Sequence, residues 1–209
     1  MGRRANTDSL NLDAAGVAYD RSGITVNDFL QTSARNIYAV GDVVGPYRFS
    51  HMANAQGIRA TQNAILPLRR RFRYGVVPWV TFTEPELART GLTEEEARRE
   101  HGDSIRVYDV DLNDLDRTRT AGPSRERAKL VLDRRGRVLG ASILADRAGE
   151  MIGEVQVVAS LGVPFSKLSG IVHPYPTYAE VFQQIGKRVL IDRLLGNPLV
   201  KLFTGRGSS

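Results

Sequence analysis

Apolar residues recur at different periods along this chain, and each period marks a different kind of element. From Ile37 to Val40 four largely apolar residues run unbroken and end at Gly41-Asp42, the pattern of a short buried strand followed by a turn. From Ser50 the spacing lengthens: Met52, Ala55, Ile58, Gln62, Ile65 and Leu66 lie near helical spacing, predicting a helix to about Leu68 that Pro67 ends or kinks. Upstream, Gly16 to Val26 reads as a short hairpin with Gly23 at its turn.

Beyond a change of composition at Arg73 to Pro78, strand and helix signals alternate. Residues 80–83 and 87–90 read as extended segments on either side of Glu84-Pro85. Thr93-Glu94-Glu95-Glu96 is a capping box opening a short helix to about Glu100. Ile105 to Val110 is a strand. Ala128 to Leu132 and Val138 to Leu144 form a hairpin about Asp133-Arg134-Arg135-Gly136. A helix follows from Ala148 to about Leu161, with Met151, Ile152, Val155, Val158 and Ala159 along one side, and another from about Thr177 towards Leu195. No internal repeat occurs, and Gly205 to Ser209 read as a disordered end.

Composition narrows the classes. The 209 residues are 42% hydrophobic and 25% charged, ordinary for a soluble globular protein. No apolar run is long enough to span a membrane and no signal peptide opens the chain, so no membrane partner is expected. Cysteine is absent, which removes disulfides, thiolate metal sites and thiol nucleophiles from this chain and is compatible with a cytoplasmic setting. The net charge of +6 is concentrated most at Arg69-Arg70-Arg71-Phe72-Arg73. No nucleic-acid-binding motif accompanies that run, which reads instead as positive charge complementing a helix C-terminus. Histidine spacing offers no metal site.

The chemistry begins at Gly41-Asp42. Glycine removes a side chain where a ligand can approach the backbone, and Asp42 sits at the carboxyl end of the predicted strand, where open α/β sheets bind ligands. Thr32-Ser33-Ala34-Arg35-Asn36 precedes it, and His51-Met52-Ala53-Asn54-Ala55-Gln56-Gly57 opens the helix beyond it. In that order the segment resembles the second FAD-contacting motif of the pyridine nucleotide–disulfide oxidoreductases, a family that includes dihydrolipoamide dehydrogenase, glutathione reductase and mercuric reductase. The resemblance implies that Asp42, beside Gly41, hydrogen-bonds a ribityl hydroxyl of FAD. It also implies that the helix start at Phe49, Ser50 and His51 faces the flavin, with Ser50 a fair N-cap. Amide groups and the positive end of the helix dipole suit the negative charge of a reduced flavin. His51 matters there through its backbone N–H rather than its ring.

Other phrases extend the resemblance over nearly the whole chain. Gly2-Arg3-Arg4-Ala5-Asn6 is similar to the segment by which the family re-enters its FAD domain. Phe82-Thr83-Glu84-Pro85-Glu86, Val138 to Leu144 with Ala148 to Ile152, and His173-Pro174-Tyr175-Pro176-Thr177-Tyr178-Ala179-Glu180 resemble its dimerisation domain. No Gly-x-Gly-x-x-Gly fingerprint and no redox cysteine pair occur in the chain. It therefore reads as the C-terminal part of the family's length.

The family carries His-Pro-Thr-x-x-Glu at the last phrase, where the histidine serves as acid–base partner of redox thiols and the glutamate orients it. Here Pro176, Thr177 and Glu180 fall on the pattern and Tyr175 takes the histidine's place, with His173 two residues early. Tyrosine at this position is similar to mercuric reductase and its relatives, but the chain ends without that enzyme's vicinal cysteine pair. Tyr175, Glu180 and His173 are the catalytic candidates. Beside that reading, Thr177-x-x-Glu180 is also a capping box for the last helix, and His173 reads as a surface or packing histidine. Tyr175, with a reference pKa of about 10, suits orienting or ligating an acceptor better than general-base work. The resemblance also implies a cis Tyr175–Pro176 bond and a ring facing the flavin side of a dimer cleft.

The expected architecture is α+β: an antiparallel sheet with helices on one side, preceded by a partial FAD-domain segment. The expected divisions are 1–76 for the end of the FAD/NAD-binding region, 77–195 for the dimerisation domain and 196–209 for a tail. The expected function is the C-terminal portion of an FAD-dependent NAD(P)H oxidoreductase active in cell redox homeostasis, a homodimer binding no nucleic acid. The alternative is a dimerisation module without catalysis of its own.

Overall fold

The computed structural model describes residues 4–122, 125–197 and 200. Gly2, Arg3 and the expected disordered end at Gly205 to Ser209 lie outside them, as does most of the expected 196–209 tail. The chain divides into two compact units, one running to Tyr74 and the other starting at Gly75.

In the first unit, β1 (Tyr19–Asp20) and β2 (Gly23–Ile24) form the expected hairpin, although Gly23 pairs with Asp20 instead of occupying the turn. Its glycine identity has a different cause. A Cβ there would lie 2.0 Å from the Val43 carbonyl oxygen, so only hydrogen lets the two backbones pass. The strand expected over Ile37–Asp42 does not form. Tyr38 makes a single antiparallel bridge with Gln31, and Ala39 N donates to Leu30 O at 3.1 Å. Among the described residues these contacts run to the tight loop over residues 27–32 and do not extend into a ladder. Gly41–Val43 then turns into one 3-10 turn.

The helix α1 (Ser50–Ile65) stops where Pro67 holds Leu66 in extended backbone. Its buried residues are Met52, Gln56, Ala60 and Asn63, whereas Ile58 and Ile65 of the expected apolar face are exposed. The first unit packs the polar stripe because those side chains satisfy backbone groups. Asn63 Nδ2 donates to the carbonyls of Phe29 and Arg70, and its Oδ1 accepts from Arg70 N at 2.8 Å. The basic run also has a different role from the one expected. It lies beyond the last turn of α1, where Arg71 pairs with Asp28 at 3.1 Å and Arg69 reaches Gln31.

The second unit is built on a five-stranded antiparallel sheet in the order β3-β4-β7-β6-β5. Its strands are β3 (Pro78–Thr81), β4 (Glu86–Gly91), β5 (Arg106–Asp111), β6 (Arg127–Leu132) and β7 (Val138–Ala145). Strand alternation sends Ala88, Tyr108, Leu130 and Ile143 to one face. Helices α4 (Ala148–Leu161) and α5 (Glu180–Leu195) cover that face with Met151, Ile152, Val155, Phe182, Ile185 and Val189. Each such side chain contributes about 1.5–3 kcal/mol when fully buried, so this layer dominates the unit's stability. The short α2 (Glu94–His101) seats Ala97 against Val131 and Ile105, which lie in a separate small cluster. Its capping box is present in full, with Thr93 Oγ1 accepting from Glu96 N and Glu96 accepting from Thr93 N.

A helix that the sequence pattern did not announce, α3 (Asp116–Ala121), follows β5. It anchors through Leu115 and Thr118, which are both buried.

Candidate functional site

In the first unit the candidate cofactor residues gather between the 3-10 turn and the start of α1. Gly41 is buried at φ +77, and a Cβ on it would stand 3.1 Å from that of Ala53 on α1. The turn therefore lies directly against the helix. Gly41 N donates to Gln56 Oε1 at 2.6 Å, and Gln56 is fully buried. Gln56 Nε2 donates to Tyr74 Oη, whose own proton goes to the Gly45 carbonyl at 3.1 Å. In the sequence Gln56 lies within the His51 to Gly57 phrase, with no contact assigned to it. Its signal was a glutamine at the i, i+4 spacing from Met52, on the face that proves buried.

Asp42 is exposed on this fixed turn. Ser50 is already the first helical residue, so the expected Ser50 N-cap is displaced by Phe49, whose side chain makes no capping hydrogen bond. Met52 N and Ala53 N both bond to the Phe49 carbonyl. The Phe49 and His51 rings stack at 5.2 Å and 9°, with Tyr47 stacked 6.5 Å beyond Phe49. An exposed carboxylate, the start of α1 and a flat aromatic surface thus lie within ten residues.

In the second unit the three catalytic candidates diverge. The His173 side chain is nearly enclosed, 7% exposed, and its Nε2 meets Glu154 Oε1 of α4 at 2.9 Å while Nδ1 meets the Ile171 carbonyl at 3.2 Å. Both ring nitrogens are spoken for, which is the packing role the sequence allowed. Tyr175 points outward, 69% exposed, beside a cis Tyr175–Pro176 bond. Its hydroxyl donates to Asp116 Oδ2 of α3 at 2.7 Å. That hydrogen bond first, then the Asp116 charge, some burial and the Glu180 charge hold the phenol pKa above its usual value.

Glu180 begins α5, but the expected Thr177–Glu180 capping box does not form. The helix starts at Glu180 with Ala179 at the cap position, so Thr177 stands outside it, its Oγ1 donating to the Pro174 carbonyl at 2.8 Å. Among the described residues no group of three or more His, Asp or Glu side chains could hold a metal. No described helix is long and apolar enough to cross a membrane.

Residues 77–185 match the model of the pyridine nucleotide-disulphide oxidoreductase dimerisation domain, and residues 1–65 match that of the pyridine nucleotide-disulphide oxidoreductases. The chain belongs to this family, and it carries the dimerisation domain.

Among curated relatives, a mercuric reductase of Lysinibacillus sphaericus is 39% identical over 181 residues, which are 86% of this chain and 33% of that protein. A dihydrolipoyl dehydrogenase of Thermus scotoductus is 37% identical over 86% of this chain and 39% of its own length. The chain thus spans between a third and two fifths of these relatives. Among solved structures, the HOCl-induced flavoprotein disulfide reductase RclA from Escherichia coli superposes with a TM-score of 0.80 at 34% identity. That match covers 88% of this chain and 42% of the other.

Proposed function

We propose that this chain supplies the flavin-facing end of the FAD domain and the dimer interface of an FAD-dependent NAD(P)H oxidoreductase. In this reading residues 1–76 close the dinucleotide-binding region, 77–195 form the dimerisation domain, and 196–209 are a tail. The observation that carries it is the Gly41–Gln56 link, which fixes an acidic turn against the start of α1. The donor set suits FAD: Asp42 offers an acceptor to a ribityl hydroxyl, and the α1 start at Phe49, Ser50 and His51 offers amide dipoles. Bound there, FAD would supply hydride acceptance from NAD(P)H. The residues of this chain bind and orient it, and α1 stabilises negative charge at its N-terminus. Exposed Ile58, Ile65, Leu66 and Leu68 on and just past α1 support the view that more of a dinucleotide-binding fold packs on this unit.

For assembly, the second unit exposes Val157 and Leu161 on α4, Val172 before the tyrosine loop, and Ile191, Leu194 and Leu195 on α5. These residues support an isologous homodimer burying more than roughly 1,000 Å². In that dimer Tyr175 lies at the cleft and orients or ligates the electron acceptor, Glu180 adds negative charge beside it, and His173 braces the loop. The deciding experiment is FAD retention by the full-length oxidoreductase carrying Asp42→Ala. Weaker FAD binding with the dimer intact is expected, and unchanged binding would remove Asp42 from the site. A pure dimerisation module, the second reading, would leave FAD binding of the whole protein indifferent to both Asp42 and Gln56.

A further inference from the structure

We propose that Asp116 is the positioning residue for Tyr175, fixing the phenol as a hydrogen-bond donor to its own chain so that only oxygen lone pairs face a bound acceptor. This rests on the reading of Tyr175 as an acceptor-side residue. A phenol has one O–H and two acceptor lone pairs. The hydrogen of Tyr175 is committed to Asp116 Oδ2 at 2.7 Å, a charge-assisted bond between residues 59 positions apart.

The carboxylate is itself held. Asp116 opens α3, and its Oδ1 lies 3.6 Å from Arg119 one turn on. The next residue, Arg117, places its guanidinium 5.4 Å over the ring of Tyr178, which is buried. Consecutive residues of α3 therefore grip both tyrosines of the loop, one by its hydroxyl and one by its face. Leu115 and Thr118 seat α3 in the core, so the grip does not depend on an exposed, free helix.

Two consequences follow for chemistry. With its proton held by a carboxylate, Tyr175 neither donates outward nor serves as a general base at neutral pH. Two carboxylates, Asp116 and Glu180, act on the phenol, and both raise its pKa. The lone pairs, these carboxylates and the exposed ring face all favour an acceptor that carries positive charge or presents an N–H or O–H. An anionic acceptor is disfavoured. Arg119 tempers the charge of Asp116.

The test is an alkaline titration of tyrosine absorbance near 295 nm on the 209-residue chain. Tyr175→Phe identifies the step belonging to Tyr175 by deleting it. In Asp116→Asn that step is expected to move to lower pH with its amplitude kept, and Asp116→Glu is expected to move it back. A step that stays in place in Asp116→Asn overturns the proposal. If Asp116→Asn unfolds the loop, the buried Tyr178 titrates early as well, and that outcome also overturns it in favour of a structural role. For the acceptor class, the full-length enzyme is assayed with hexaammineruthenium(III) and with ferricyanide. The ratio of their kcat/KM values should fall about threefold in Asp116→Asn, the size of one charge lost near the acceptor. An unchanged ratio removes the preference for cations. If neither acceptor turns over, the oxidoreductase reading fails while the titration still decides the role of Asp116.

Discussion

Gln56 holds Gly41 from within α1, its side-chain oxygen accepting the Gly41 N–H at 2.6 Å where both residues are buried. The link joins the acidic turn to the helix start, so it sets the geometry on which the cofactor reading depends. Replacing Gln56 with Leu strands a buried amide, which costs about 1–3 kcal/mol. Denaturant unfolding of Gln56→Leu should show a lower midpoint at an unchanged m-value. A second variant probes the same contact: Gly41→Ala places a Cβ in left-handed backbone 3.1 Å from the Cβ of Ala53 and should cost roughly 1–2 kcal/mol or more. Neutral outcomes for both would mean that the turn is not fixed by α1.

In the second unit, one buried tyrosine links stability to alkaline pH. Tyr108 on β5 is buried and donates to Asp192 Oδ2 of α5 at 2.7 Å. Burial first, then the bond to Asp192 and its charge, push the phenol up to about 12, while Arg106 acts in the opposite sense. The folded pKa lies above the unfolded value of about 10, so the folded state holds the proton more tightly. The contribution is present in full below pH 10 and is lost as the pH rises towards 12. Stability measured against pH should fall across that window, and Tyr108→Phe should flatten the fall. An equal slope in wild type and variant would rule out this source.

At the other face of the sheet, Thr93→Ala removes the hydroxyl that caps α2 and should destabilise the unit by about 1 kcal/mol. Hydrogen bonds from the Thr93 amide and hydroxyl hold the Glu96 carboxyl below its ordinary pKa. The helix therefore loses this support as acidity protonates Glu96, below the ordinary carboxyl range. Helical signal followed through an acid titration checks it: the wild type should lose signal in that range, and Thr93→Ala should show less dependence.

What the sequence made legible was whatever local chemistry alone decides. The capping box at Thr93 and Glu96, the hairpin about Asp133 to Gly136 and the apolar side of α4 each depend on residues within a few positions of one another. Ile37 to Asp42 failed as a strand because an apolar run needs a partner ladder, and among the described residues it finds one bridge, at Gln31. Thr177 failed as a cap because α5 starts at Glu180 with Ala179 at the cap position, two residues beyond the threonine. The partners of Gln56, Asn63 and Asp116 were invisible for a shared reason. Each works through a partner brought near by the fold, and nothing in the sequence around a lone Gln, Asn or Asp names that partner.

The tyrosine loop gives a kinetic prediction. In the full-length enzyme, Tyr175→Phe should slow reoxidation of the flavin by its acceptor and leave reduction by NAD(P)H nearly unchanged. Stopped-flow absorbance separates the two half-reactions. Equal slowing of both would return Tyr175 to a structural role.

The central claim is that this chain holds the dimer interface whole and the FAD site only in part. Sedimentation velocity of the 209-residue chain at micromolar concentration, recorded at 280 and 450 nm, tests both halves at once. The account predicts a boundary with the mass of a dimer at 280 nm and no flavin boundary at 450 nm, even after incubation with FAD. A monomer, or flavin cosedimenting in stoichiometric amount, would contradict it.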